Sequence, residues 1–409
     1  MSAIYHVPSK VYFGRNSVAE LGEIVTEIGL KKVLVVCDKG IVSCGIADKV
    51  LAPLAQANIE TVVFDAVIPN PTNGVVQAGY EMAAKAGVDG IVAVGGGSPI
   101  DTAKAINILL NNEGPIQRYE GPNQVKKQGL PLVAIPTTAG TSSEITNVIA
   151  LINEEEVRKY VIVGNHVGAS HAVIDPMLTT GLPAGITAAT GIDALTHAIE
   201  SYVSVNASDL TRYSSLEAAR IFFHSLPLAV ENGADVDARE EMMRGCVIVG
   251  FAFNNADLGL VHGIAHTLSA RHGLPHGVAN ALVLPYVMEY NAQQFPEKYK
   301  ELGMAMGCCS SYETAEAGAR KTCQAVLDLV RRVGIKTIRD YNITEADLPA
   351  LAADAVHEGA VMFNPRKPSE GAIVTTRKEA FKTRPRPPAA RGPPPAEHRR
   401  GRSSVYEGV

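Results

Sequence analysis

The stretch Gly259–Tyr286 reads GLVHGIAHTLSARHGLPHGVANALVLPY. It places His262, His266, His272 and His276 within fifteen residues of otherwise small and apolar sequence. His262 and His266 are four apart, so on a helix they share one face, about one turn from each other. Leu274-Pro275-His276-Gly277 breaks that pattern and can turn a further imidazole back toward the same face. Upstream, TGIDALTHAIESY repeats the four-residue spacing with Asp193 and His197. A lone histidine on an apolar helix is usually a satisfied core residue. Two pairs of ligand type at helical spacing, with almost no other polar side chain around them, read instead as a mixed oxygen–nitrogen site for a divalent metal. Spacing alone leaves open which of His262 and His266 holds it.

Outward from these helices the chain has room for two domains, each with its own core, in 409 residues. A hydrophobic share of 46% with 19% charged residues is an ordinary soluble globular composition, and the net charge of −5 argues against a nucleic-acid partner. Cys37, Cys44, Cys246, Cys308, Cys309 and Cys323 show neither C-x-x-C nor framework spacing, and read as reduced thiols of a cytoplasmic protein. The start has no basic stretch followed by an apolar run, so no signal peptide is expected. The most apolar long window, Gly245–His266, contains Asn254, Asn255 and Asp257, and is expected to be a buried helix, with no membrane partner.

From Tyr5 to about Leu182 short β-rich runs alternate with helical patterns. KKVLVVCD is continuously apolar, as a parallel strand covered on both faces should be. A helix over Ile46–Ala57, a strand IETVVFDAV, a helix over Val75–Ala86 and the strands VDGIVAVGGGS and PLVAIPTT follow. This alternation predicts an α/β domain with a mainly parallel sheet over residues 1–182. Between residues 183 and 381 the patterns are helical (Ala188–Ser204, Ser208–Ala229, Arg239–Phe253, Val261–Leu268, Ser311–Val333), which predicts an all-α domain carrying the metal ligands. Residues 382–409 hold seven Lys/Arg, two Glu and six prolines without apolar periodicity, and are expected to be a disordered basic tail.

In GGGSPIDTAKAINILL, directly after VDGIVAV, Gly95-Gly96-Gly97 lets backbone N–H groups approach a pyrophosphate, and Pro99 suits the first turn of the following helix. The G-x-G-x-x-G fingerprint is absent, because Ile100 stands where its last glycine would be. A glycine run after a strand is a tight turn about as often as a phosphate loop. PTTAGTSSE supplies the hydroxyls of Thr137, Thr138 and Thr141 and the close approach of Gly140, suited to phosphate and nicotinamide contacts. Asp38, at the end of KKVLVVCD, can accept hydrogen bonds from an adenosine ribose and would repel a 2′-phosphate, or can simply cap the strand end. Lys159, in EEEVRKYVI, is by spacing one charge in a solvated run.

GIDALTHAIESYVS together with GLVHGIAHTLSARHGLPHGVANALVLPYV resembles the group III, iron-containing alcohol dehydrogenases, and within them the lactaldehyde reductase (propanediol oxidoreductase) branch. The likeness runs from about Tyr12 to about Phe381. It implies a dehydroquinate synthase-like architecture, with an NAD-binding α/β domain before a helical catalytic domain. It implies metal ligands at Asp193, His197, His262 and His276, with His266 beside the metal and turned toward nicotinamide and substrate as a catalytic group. It implies cofactor contacts from Asp38, Gly95, Gly96, Gly97, Ser98, Asp101, Thr137, Thr138, Thr141 and Lys159, within a GGGS-x-x-D-x-A-K motif completed by Lys104. It places Asn70, Asn147 and Phe253 around the substrate. The family usually has Gly at Ser142, and H-P-L-G where this chain reads His266-Thr267-Leu268-Ser269. The implied function is metal-dependent, NAD(H)-linked alcohol oxidation or aldehyde reduction on short-chain alcohols or diols, with Fe2+ favoured and Zn2+ the alternative. The implied assembly is a homodimer or higher homo-oligomer. Two alternatives share the architecture: a zinc-dependent glycerol dehydrogenase, and a dehydroquinate synthase-like lyase, which needs several Lys and Arg that the segments around Asp193 and His276 lack.

Overall fold

The computed structural model describes residues 4–375; the tail and the last residues of the expected helical domain lie outside them. The first half is built on strands β1 (Lys10–Phe13), β2 (Lys32–Val36), β3 (Glu60–Phe64), β4 (Gly90–Gly95), β5 (Gly121–Pro122), β6 (Leu132–Pro136), β7 (Val148–Asn153), β8 (Arg158–Val163) and β9 (His171–Ile174). Six of them form one all-parallel sheet in the order β1-β9-β6-β4-β2-β3. Period-two alternation makes its two faces: Leu34 and Val36 with Ile91 and Ala93 enter one core, Val33 and Val35 with Val92 and Val94 the other. Both faces are covered by helices, namely α1 (Leu21–Ile28), α2 (Lys39–Ser43), α3 (Ile46–Gln56), α4 (Asn73–Ala86) and α5 (Gly97–Asn111). The expected mainly parallel α/β architecture is therefore present.

Between β2 and β4 the strand order reverses, since β3 lies on one side of β2 and the chain returns to the other. In open parallel sheets the crevice beyond the carboxyl ends at such a point is where ligands bind. Asp38 follows β2 there, and Gly95-Gly96-Gly97 joins β4 to α5 there. Strands β5, β8 and β7 form a second, three-stranded sheet, in which β7 and β8 are an antiparallel hairpin closed between Asn153 and Arg158. The hairpin buries Lys159, which is 7% exposed, so the solvated-run reading of that residue is corrected.

The second half is helical: α6 (Ala184–Val203), α7 (Asp209–Glu231), α8 (Val236–Ala256), α9 (Leu260–His272), α10 (His276–Ala292), α11 (Pro296–Ala305), α12 (Ala315–Arg332) and α13 (Leu348–Ala355). Almost every side chain of α6 from Thr187 to Val203 is buried, as expected of a central helix with no solvent face. The window Gly245–His266 is not one helix. It breaks after Ala256, where Asp257 adopts φ 60°, and α8 and α9 meet at 99°. No single helix among the described residues is long and apolar enough to cross a membrane.

Candidate metal and cofactor site

Helix α6 carries Asp193 and His197 one turn apart, α9 presents His262 in its first turn, and α10 opens on His276. Asp193 Oδ1 lies 3.7 Å from Nε2 of His262, 3.7 Å from Nε2 of His276 and 3.8 Å from Nε2 of His197. The ligand atoms of Asp193, His262 and His276 all fall within 4.8 Å of one another. His197 stands just outside that group, its ring stacked between His262 (centroids 4.8 Å apart) and Phe253 (4.4 Å). His266 faces the same space, with its ring 5.5 Å from that of His276, and its Nδ1 lies 3.0 Å from Glu358 Oε2.

One further group reaches in. Asn280 Nδ2 lies 2.6 Å from Asp193 Oδ1 and 3.2 and 3.3 Å from Nε2 of His262 and His276. A single amide has two hydrogens for those three atoms, so their demand for positive charge is incompletely met. A divalent cation meets it in full, and one carboxylate oxygen with several imidazoles is a suitable donor set for Fe2+ or Zn2+. The residues present fit a metal.

Electrostatics divide the imidazoles, leaving His197 and His276 neutral and His262 protonated near pH 7. Burial lowers the His197 imidazole to about 4, and burial together with the Lys159 ammonium puts His276 well below its ordinary value, so both are neutral near pH 7 as ligands must be. Burial also lowers His266, against the opposing Glu358 carboxylate. Burial works against Asp193 as an anion, but the neighbouring imidazoles outweigh it and hold the carboxyl well below the carboxylate range. For His262 burial is likewise overcome, by hydrogen bonds to Asp193 and Glu200, which raise it to about 9.

The cluster opens on a cavity of about 1100 Å³ shared with the β4–α5 turn. Of the cofactor residues expected from sequence, Gly97, Ser98, Asp101, Thr141 and Lys159 line it. Lys159 Nζ also lies 3.5 Å from His276 Nδ1. Gly95, Gly96, Thr137 and Thr138 sit behind the lining. Gly95, at φ 145°, needs to be glycine, and Thr137 N donates to its carbonyl at 2.9 Å. Asp38 is also outside the lining and caps α2, accepting from Ile41 N at 3.0 Å. Lys104 is a buried strut, donating to Ser143 Oγ and to the carbonyls of Thr146 and Val148. Ser142 holds the left-handed conformation (φ 51°) that favours glycine, and its Oγ donates to Cys246 O at 2.8 Å.

Of the expected substrate residues, Asn70 and Phe253 line the cavity, and Asn147 does not. The Asn147 side chain instead lies against His6, Nδ2 to Nδ1 at 3.1 Å, while its backbone N–H donates to Asn254 Oδ1. Arg271, at the mouth, is paired with Asp354. The reading from sequence missed Glu200, Asn280 and Glu358. Two carried a signal: Glu200 follows His197 by three and Asp193 by seven, and Asn280 follows His276 by four, so both lie on ligand-bearing helix faces.

Residues 8–176 match the family described as iron-containing alcohol dehydrogenase, and residues 187–381 match the C-terminal part of the Fe-containing alcohol dehydrogenase family. The chain belongs to the iron-containing alcohol dehydrogenase family. It is 41% identical over 366 residues to the lactaldehyde reductase of Escherichia coli (strain K12), covering 89% of this chain and 95% of that one. The crystal structure of a 1,3-propanediol oxidoreductase superposes with a TM-score of 0.91 at 40% identity, covering 93% of this chain and all of that one. The sulfoacetaldehyde reductase of Bifidobacterium kashiwanohense, solved in complex with NAD+, gives 0.84 at 30% identity, covering 94% of this chain and all of that one.

Proposed function

We propose that the protein interconverts short-chain alcohols or diols and their aldehydes, of the lactaldehyde/1,2-propanediol type, with NAD(H) and Fe2+. The observation that carries this reading is the convergence of Asp193, His262 and His276, with His197 alongside, at one end of a cavity whose other end is the glycine turn of a parallel sheet. A metal held there supplies Lewis-acid polarisation of an alcohol or carbonyl oxygen, and a nicotinamide dinucleotide supplies hydride exchange.

The chain's own residues do the rest. Asp193, His197, His262 and His276 hold the metal: His197 and His276 are already neutral, and His262 would give up a proton to the metal. Gly97 and Ser98, at the start of α5, receive phosphate with backbone N–H groups, and Thr141 approaches from the facing loop. Asp38 disfavours a 2′-phosphate by charge. Phe253 and Asn70 wall the substrate space and exclude water. His266, kept neutral by burial, accepts the proton that alcohol oxidation releases, and returns it in aldehyde reduction.

The family description favours iron, although zinc binds such donors more tightly than ferrous iron. A lyase acting on a polyanionic substrate would need free cations around the site. Of the Lys and Arg that line the cavity, Arg271 is instead paired with Asp354 and Arg158 with Glu120, which leaves Lys159 alone, too few for such a substrate. A cytoplasmic homo-oligomer is part of the proposal; six free cysteines fit a reducing compartment.

The test is an anaerobic assay of NADH oxidation against a panel of short aldehydes including lactaldehyde, with protein stripped by chelation and reloaded with Fe2+. Activity is expected only in the loaded protein, and more with NADH than with NADPH. Full activity without metal, or no turnover of any aldehyde by loaded protein, overturns the reading.

A further inference from the structure

Glu200 takes no part in the ligand set and does not line the cavity, yet it is 3% exposed and both its oxygens are engaged. Oε2 lies 2.5 Å from His262 Nδ1, and Oε1 accepts the backbone N–H of Val261 at 2.6 Å. It sits on α6 three residues after His197 and seven after Asp193, so one stripe of that helix carries all three.

We propose that Glu200 is the positioning residue that presets His262 for metal binding. The inference rests on the metal reading of the site. A carboxylate only accepts hydrogen bonds, so its contact with Nδ1 keeps the proton on that nitrogen. In the neutral ring the lone pair is then on Nε2, which faces Asp193 at 3.7 Å. Asn280 Nδ2, 3.2 Å from Nε2, can donate only to a bare Nε2 and so favours the same tautomer, but among the described residues Glu200 alone holds Nδ1. The second oxygen anchors the first turn of α9 to the same carboxylate, so ring orientation and helix position are set by one group. A hydrogen-bonded carboxylate also makes the imidazole a stronger donor, and losing such a partner typically lowers metal affinity by about 10–100-fold.

A purely structural role must be separated from this one, since Val261 N–H is a helix-end donor. Asn364 provides the comparison: its Oδ1 accepts from the adjacent Leu260 N at 3.2 Å without touching an imidazole.

Full-length wild type, Glu200→Gln and Asn364→Ala would be stripped of metal, their melting temperatures measured, and each titrated with Zn2+ by calorimetry. The glutamine keeps one acceptor oxygen for Val261 N–H and places a donor beside Nδ1. Glu200→Gln is expected to bind Zn2+ about 10–100-fold more weakly, at a metal-free melting temperature close to wild type. Asn364→Ala is expected to melt lower and bind Zn2+ as wild type does. Equal affinities for wild type and Glu200→Gln overturn the proposal, and so does an Asn364→Ala loss as large as that of Glu200→Gln. If Glu200→Gln does not fold, 15N spectra of histidine-labelled, Zn2+-loaded wild type decide. A protonated Nδ1 on His262 supports the assignment, and a bare or metal-bound Nδ1 overturns it. Wild type that binds no Zn2+ at all would instead refute the metal site itself.

Discussion

Gly277 follows the proposed ligand His276 and packs directly on the backbone of α6. A Cβ built there would lie 2.3 Å from Ala189 O, 2.7 Å from Ala189 C and 3.3 Å from Thr190 N. These are backbone atoms on α6, one turn before Asp193, so no side chain can swing aside. Non-bonded contacts settle near 3.5 Å, so Gly277→Ala must drive the start of α10 from α6 by on the order of 1 Å. Metal–ligand distances tolerate only about ±0.2 Å. The displacement falls on the gap that now sets His276 Nε2 3.7 Å from Asp193 Oδ1. Overpacking of this kind costs about 1–3 kcal/mol, and disturbing the support of a ligand costs about 10–100-fold in affinity. The assay is competition for Zn2+ between stripped protein and a chromogenic chelator, with the melting temperature of the metal-free protein recorded alongside. A variant that binds Zn2+ as tightly as wild type would show that the α6–α10 contact does not set the ligand geometry.

His262→Ala should lose the metal, whereas His266→Ala should retain it and lose about 10²–10⁴ in kcat; metal content of both purified variants decides, and the reverse outcome moves the ligand by one helical turn. Asp38→Gly should relax discrimination against NADP(H), read as the ratio of kcat/KM for NADH and NADPH; an unchanged ratio would leave Asp38 as the cap of α2 alone. Burial raises the Glu144 carboxyl from an ordinary 4.5 to about 7, so over that interval the folded protein keeps a proton that the unfolded chain has released, and stability falls as pH rises. Glu144→Gln should remove up to about 1.4 kcal/mol of that loss per pH unit, seen as a wild-type-minus-variant melting temperature that declines between pH 5 and 7.

The parallel sheet was legible because its strands are covered on both faces, and continuous apolar runs such as KVLVV have few other uses. The β7–β8 hairpin was not. Its tip, EEEVRK, has the composition of a solvated turn, and only tertiary folding lays Lys159 against His276. Helix α10 was equally hidden, since it starts after Pro275, contains Pro285 and is buried on nearly every side, leaving no apolar stripe to detect. Two i, i+4 pairs of rare residue types, Asp193 with His197 and His262 with His266, pointed to the site, but the choice of His262 over His266 and the inclusion of His276 came from the family resemblance. The orientation of Asn147 was not legible, because a polar residue near a site in sequence has no local rule that tells which way it points. It turned to satisfy His6, more than a hundred residues away.

What the sequence could not carry is the coupling of the ligands to the rest of the molecule. Glu200 looks like any helix carboxylate, and Asn364 like any residue of a terminal Asn-Pro-Arg turn. In the structure both hold the first turn of α9, and Asn364 is also locked to Asn291 on α10 by a reciprocal pair of amide bonds at 2.9 and 3.0 Å. The three helices that carry the proposed ligands are therefore tied together by buried side chains, Glu200 from α6 and Asn364 from the segment after Phe363. Such joints are paid for in desolvation, since each carries polar groups into a core where an unpaired one costs about 1–3 kcal/mol. Every atom of the Asn364–Asn291 pair is satisfied, and Glu200 is doubly engaged. One layer inward Asn280 Oδ1 has no partner, and the Asn280 amide nitrogen is shared among Asp193 Oδ1 and Nε2 of His262 and His276, where a cation would fit. The two supports therefore divide the work: Asn364 holds the helix ends together, while Glu200, on His262 Nδ1 as well as Val261 N–H, keeps a donor atom in place before a metal arrives.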